Sequence, residues 1–185
     1  MDYAHLNLEH FFARNDDLDR IKDRSDFVMI NNFTNEMKYR DGEIEGVSYF
    51  YKTHDEFKQM IKEDKFLEYA EVHNNYYGTP KEFVENKIND GKIVVLEIDV
   101  QGAVNVKKNT ENAVFIFLAP PSLSELKNRI VGRGTETEQD INVRMKNARK
   151  ELEYIKYYDS LVINDHINSA INSVNAIINA EKHKV

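Results

Sequence analysis

The 185 residues carry 25 Lys and Arg against 32 Asp and Glu, a net charge of -7, with 41% hydrophobic residues and no cysteine. That balance suits one globular domain and excludes a sequence-independent nucleic-acid binder, which needs a basic face; without cysteine there are no disulfides or thiolate metal sites. No apolar run approaches the roughly 20 residues of a membrane span, and Met1-Asp2-Tyr3-Ala4-His5 lacks the features of a signal peptide, so a cytoplasmic protein is expected.

At the N-terminus, Leu6, Leu8, Phe11, Phe12, Leu18 and Ile21 line either one amphipathic helix or a strand followed by a helix, which Asp16-Asp17 would cap. Phe27 to Asn31 suits a strand. From Val47 to Tyr77 the chain is rich in Tyr and Phe and alternates in places, which predicts a small, partly antiparallel lobe. Within it, Thr53-His54-Asp55-Glu56 is a capping box ahead of Phe57, Met60 and Ile61 at helical spacing. Thr79-Pro80 supplies an N-cap and a favoured first helical position, and Gly91 closes that helix.

Ile93 to Ile98 and Val114 to Leu118 are short, nearly continuous apolar runs, the pattern of strands buried on both faces. Pro120-Pro121 ends the second, and Ser122 to Glu125 caps a helix carrying Leu126 and Ile130. A charged helix over about 138–157, a third buried strand at 160–163 and a helix over 167–182 complete the chain. Strands alternating with helices imply a parallel α/β sheet. The six histidines show no metal-ligand spacing.

Six runs, in order, resemble those of bacterial guanylate kinases. They are Gly42-Glu43-Ile44-Glu45-Gly46-Val47-Ser48-Tyr49-Phe50, Leu67-Glu68-Tyr69-Ala70-Glu71, Asn75-Tyr76-Tyr77-Gly78-Thr79-Pro80, Leu96-Glu97-Ile98-Asp99-Val100-Gln101-Gly102-Ala103, Phe115-Ile116-Phe117-Leu118-Ala119-Pro120-Pro121 and Arg129-Ile130-Val131-Gly132-Arg133-Gly134-Thr135-Glu136. The resemblance implies one α/β domain over 1–185: a P-loop-kinase-like parallel sheet flanked by helices, with a small GMP-binding lobe and a lid. The lobe would span about 40–80, the core about 81–185 and the lid about 129–146, with 1–39 a divergent segment in which the first strand and loop are altered. It implies GMP as ligand, with Glu68 facing the guanine edge, Thr79 helping to read the base, and Arg40, Tyr49 and Tyr77 on the monophosphate. Glu43, Gly78, Glu97 and Asp99 would border the same pocket, Asp99 near the place of a magnesium ion, which is expected only if the protein is catalytically active. Arg129, Arg133 and Arg144 occupy the lid positions that clamp ATP phosphates, and Asn164 a position on the adenine side. The chemistry is coherent: a carboxylate matches the paired donors of guanine and rejects adenine, while guanidinium and phenol groups suit phosphate oxygens.

Family members begin with a strand, a loop of the form G-x-x-G-x-G-K-[ST] and a helix. Here no glycine precedes Gly42, and Glu9-His10-Phe11-Phe12-Ala13-Arg14-Asn15-Asp16-Asp17 offers no lysine and three acids. Such a stretch does not make a phosphate-cradling nest. Met37 stands where a second phosphate-binding arginine is usual, which weakens GMP binding by about one to two decades. The slot of the central strand before the loop has one candidate occupant, Leu6 to Phe12; left unfilled, it would expose an edge inviting self-association or a protein partner. The leading expectation is a catalytically silent or impaired homologue that binds guanine nucleotide, a partner, or both. The alternatives are an active ATP:GMP phosphotransferase with an unusual donor site, and an interaction module for phosphopeptides.

Overall fold

The computed structural model describes residues 3–6, 27–29, 33–34, 50–72, 75–132 and 137–184. Two sheets organise them. The larger has five parallel strands: β1 (Tyr3–Leu6), β2 (Phe27–Met29), β7 (Ile93–Glu97), β8 (Ala113–Ala119) and β9 (Ser160–Ile163), in the order β2-β7-β1-β8-β9. The smaller runs β4-β3-β6-β5, built from β3 (Phe33–Thr34), β4 (Phe50–Tyr51), β5 (Phe66–Val72) and β6 (Asn75–Pro80). Its β5–β6 and β3–β6 pairs are antiparallel and its β3–β4 pair is parallel. The partly antiparallel lobe is therefore present, and it takes in Phe33–Thr34 from ahead of the segment expected to form it.

Six α-helices lie among the described residues: α1 (His54–Lys62), α2 (Lys81–Asn89), α3 (Val100–Asn109), α4 (Leu123–Gly132), α5 (Glu138–Leu152) and α6 (Ile167–Lys182). Five of them, α2 to α6, cover the large sheet on both faces. Val95, Ile116 and Leu118 pack with Leu126, Ile130, Met145, Ala170, Val174 and Ile178 of α4, α5 and α6. The alternate residues Val94, Leu96 and Phe115 pack with Val84 of α2 and Ala103 and Val106 of α3. This two-sided burial is why β7 and β8 read as unbroken apolar runs rather than alternating ones. In the small lobe, the Phe57 ring stacks on Phe66 at 4.4 Å and on Tyr76 at 5.4 Å between centroids. Such pairs contribute about 0.5–1.5 kcal/mol each beyond area burial.

The local signals mostly sit where the sequence puts them. Thr53 closes a reciprocal capping box with Glu56, and Gly91 adopts φ +74° at the end of α2, where its N–H donates to Ile88 O at 2.8 Å. Four expectations need correction. The central slot is filled by Tyr3–Leu6, not Leu6 to Phe12: a four-residue strand held by backbone ladders on both sides has too little length for a periodic signal. Apolar density pointed to the next stretch, and residues 7–12, like the other N-terminal apolar positions up to Ile21, lie outside the described residues. Thr79 does not cap α2; it ends β6, its hydroxyl is engaged elsewhere, and Pro80 takes the N-cap place without a side-chain bond. The helix expected over 138–157 is α-helical to Leu152 and continues as a 3-10 turn over Glu153–Tyr157. Finally, β9 is an edge strand buried on one side, so Val162 is buried while Leu161 and Ile163 are 49% and 46% exposed.

Candidate functional site

In an open parallel sheet, ligands gather outside the carboxyl ends of the strands, near the point where the strand order reverses. Here β1 lies between β7 and β8, with Leu6 in register with Glu97 and Ile116. The chain leaves β7 through half-buried Glu97 and enters α3 at Asp99, whose Oδ1 accepts the Gly102 N–H at 2.7 Å. Asp99 is thus the N-cap of α3, and a carboxylate there satisfies an amide that the helix leaves unpaired.

The small lobe meets this point through β5, which packs against α3. Glu68 is only 7% exposed, and cross-strand pairing sets it opposite Thr79, which is 0% exposed. The Thr79 hydroxyl donates to Glu68 Oε1 at 2.7 Å. The other carboxylate oxygen lies against Gly102: a Cβ built on that glycine would come within 2.8 Å of Glu68 Oε2. Glu68, Thr79, Asp99 and Gly102, residues spread over 35 positions, therefore converge on the first turn of α3. A carboxylate is an acceptor-only group that suits a planar ligand edge with adjacent N–H donors, and the partial positive charge of the helix start complements it.

Other residues singled out in the sequence group elsewhere. Tyr77 is half-buried on β6 next to Gly78, where a Cβ would meet the Phe66 ring at 2.8 Å; Gly78 is what lets that aromatic pack. Arg129 on α4 is committed to three acceptors: its Nε donates to Glu125 Oε1 at 2.9 Å, Nη1 to Asn164 O at 2.9 Å and Nη2 to Asp165 O at 3.4 Å. Asn164 follows β9, is 4% exposed, and donates its N–H to Ala119 O at 2.7 Å. Arg129 and Asn164, far apart in sequence, thus sit together at the carboxyl ends of β8 and β9. Arg144 is half-buried on α5 beside Asp140, whose carboxyl is held low first by the Thr137 capping bonds and also by the Arg144 charge. Arg40, Glu43, Tyr49 and Arg133 lie outside the described residues, as does Met37.

Among the described residues, no group of three or more His, Asp or Glu side chains is placed to hold a metal ion, and Asp99 already spends one oxygen on its cap. Nor, among them, is any helix long and apolar enough to cross a membrane.

Tyr158 escaped sequence reasoning. Its ring stands edge-on to Phe117 at 5.0 Å, and its buried hydroxyl has no hydrogen-bond partner among the described residues. Burial, and then the Asp99 and Glu151 carboxylates, push its pKa far above the usual tyrosine range. Nothing in Tyr157-Tyr158-Asp159 distinguishes it from its neighbour, which is 45% exposed.

The comparisons with known proteins agree with this geometry. A family model described as guanylate kinase matches residues 13–181. The guanylate kinase of Clostridium acetobutylicum is 54% identical over 146 residues, 79% of this chain and 70% of its own. That of Bacillus subtilis is 55% identical over 145 residues, 78% and 71% of the two chains. The crystal structure of guanylate kinase from Anaplasma phagocytophilum superposes with a TM-score of 0.78 at 26% identity, covering 100% of this chain and 87% of that one. Taken with the sheet order and the buried Glu68–Thr79 pair, these matches establish that the chain belongs to the guanylate kinase family.

Proposed function

We propose that this protein binds GMP against Glu68 and Thr79 and that its phosphoryl transfer from ATP is impaired. The observation that carries the first half is the buried Glu68 carboxylate, braced by the Thr79 hydroxyl at 2.7 Å and seated on the start of α3. A guanine edge offers two adjacent donors to such an acceptor, and an adenine edge does not. On this reading Arg40, Tyr49 and Tyr77 hold the monophosphate, and Glu43, Gly78, Glu97 and Asp99 wall the pocket. Arg129, Arg133, Arg144 and Asn164 belong to the donor side.

The second half rests on sequence. Residues 1–41 contain no glycine and no Gly-Lys-Ser or Gly-Lys-Thr occurs anywhere, so the usual backbone cradle and lysine for ATP phosphates have no evident source. The match to the Clostridium acetobutylicum relative covers 146 residues, 79% of this chain, so part of the chain lies outside it. Positioning and charge neutralisation are most of what a phosphoryl-transfer enzyme supplies, so their loss on the donor side costs rate more than GMP affinity.

Two observations favour a second reading, a working ATP:GMP phosphotransferase. The central slot of the sheet is filled by β1, and the family model begins at residue 13, inside the divergent segment. Titration calorimetry with GMP, followed by a coupled assay with ATP, separates the two. Heat with GMP and negligible turnover is expected. Turnover in the range of one to a hundred per second, usual for kinases, overturns the impaired reading. No heat at millimolar GMP overturns both and leaves the protein- or phosphopeptide-binding alternative.

A further inference from the structure

Gly102 occupies a place where no side chain fits without disturbing the guanine-facing carboxylate. A Cβ there would lie 2.8 Å from Glu68 Oε2, 3.3 Å from its Cδ and 3.4 Å from Asp99 Oδ1. The first distance is shorter than a carbon and an oxygen tolerate, so something must move. Glu68 is buried at 7% exposure and its Oε1 is held by Thr79, so the carboxylate has no solvent to swing into. The glycine is on the other side of the contact fixed too, because its N–H is the one that caps to Asp99 at 2.7 Å. Helix propensity alone favours alanine over glycine in a helix such as α3, so the glycine is bought for contact rather than for helix formation.

We infer that Gly102 is a positioning residue for guanine recognition: by offering no Cβ, it fixes how deeply the Glu68 carboxylate sits against the start of α3. It thereby sets the height at which the carboxylate meets the two donors of the base. The inference rests on the GMP reading of the pocket, but its core, the seating of Glu68 by Gly102, is testable without nucleotide.

The test is a double-mutant cycle of wild type, Gly102→Ala, Glu68→Ala and the double variant, melted without ligand and then titrated with GMP and with inosine monophosphate. Gly102→Ala is expected to lower the melting temperature in the wild-type background. In the Glu68→Ala background, where the colliding oxygen is gone, the same change is expected to raise it by about 2–4 °C through helix propensity. Gly102→Ala is further expected to weaken GMP by about ten- to a hundredfold. It should also erode the preference for GMP over inosine monophosphate, which lacks the exocyclic amino donor. A general loosening of the fold would weaken both nucleotides equally. Should Gly102→Ala fail to fold, recovery of a cooperative melt in the double variant supports the inference, and continued failure overturns it. Equal melting shifts in both backgrounds, or unchanged GMP affinity and base preference, also overturn it. A wild-type protein that binds no GMP, with melting shifts still opposite in sign, overturns the functional reading and leaves Gly102 as the residue that seats Glu68.

Discussion

Removing the Thr79 hydroxyl isolates what it does for Glu68. Thr79→Val keeps the shape of a fully buried side chain but leaves one carboxylate oxygen without its 2.7 Å donor. Removing a hydrogen-bond donor from a buried carboxylate costs about 1–3 kcal/mol, so the melting temperature should fall by several degrees and GMP affinity by about tenfold. A melt and a GMP titration check this; an unchanged melt means that the hydroxyl contributes nothing to the native state. Tyr158 predicts the opposite sign. Its buried hydroxyl has no hydrogen-bond partner among the described residues, so Tyr158→Phe should raise the neutral-pH melting temperature by about 2–4 °C. The pH dependence follows from its raised pKa, caused first by burial and then by Asp99 and Glu151. Below about pH 10 the hydroxyl is protonated in both folded and unfolded chains and contributes no slope. Above it the unfolded chain ionises while the folded one stays protonated, so stability falls with rising pH. Melting curves from pH 9 to 11 should therefore show a shallower alkaline fall for Tyr158→Phe than for wild type, and identical slopes count against it.

At the scale of elements, the start of α5 carries the most local prediction. Thr137 accepts the Asp140 N–H at 3.3 Å and the Asp140 carboxylate returns to the Thr137 N–H at 3.1 Å, a full capping box. Thr137→Ala should cost about 1 kcal/mol, read as a melting shift of about 2–4 °C. Thr137 is no part of the Glu68–Thr79 pair, so GMP affinity should be unchanged while stability drops. The Gly91 turn behaves differently. Its φ of +74° sits in a region that other residues enter with strain, and a Cβ there meets nothing within 4 Å. Gly91→Ala should therefore destabilise by about 1 kcal/mol through backbone strain alone, with no effect on the pocket. The caps and the stop at Gly91 were legible in the sequence because each is a local bond made within a few residues. Thr79 was misread for the same reason: its position before Pro80 suits a cap, but a partner eleven residues back on β5 takes the hydroxyl.

For the whole molecule, ligand-induced stabilisation is the cleanest reading of what it binds, since a ligand stabilises only the state that holds it. GMP should raise the melting temperature by an amount that grows with the logarithm of its concentration above Kd, whereas ATP alone should not. A clear shift with ATP alone counts against the impaired donor side. The strand order explains why the N-terminal segment matters so much. β1 is the central strand, paired to β7 on one side and β8 on the other, so the N-terminus is built into the middle of the fold however far its sequence diverges. Truncation up to residue 7 should therefore abolish cooperative folding rather than trim a tail.

The sequence by itself determined the fold class, most helix boundaries, the two doubly buried strands and the guanylate kinase resemblance, because these are written in capping bonds, in apolar runs and in contiguous motifs. It did not place the central strand, since four residues carry no period and backbone pairing is indifferent to side-chain type. Nor did it reveal that Gly102 abuts Glu68, that Arg129 is anchored to the backbone of Asn164 and Asp165, or that Tyr158 is buried against Phe117. Those contacts join residues from different elements, and only the packing of the lobe and helices against the large sheet brings them within bonding distance.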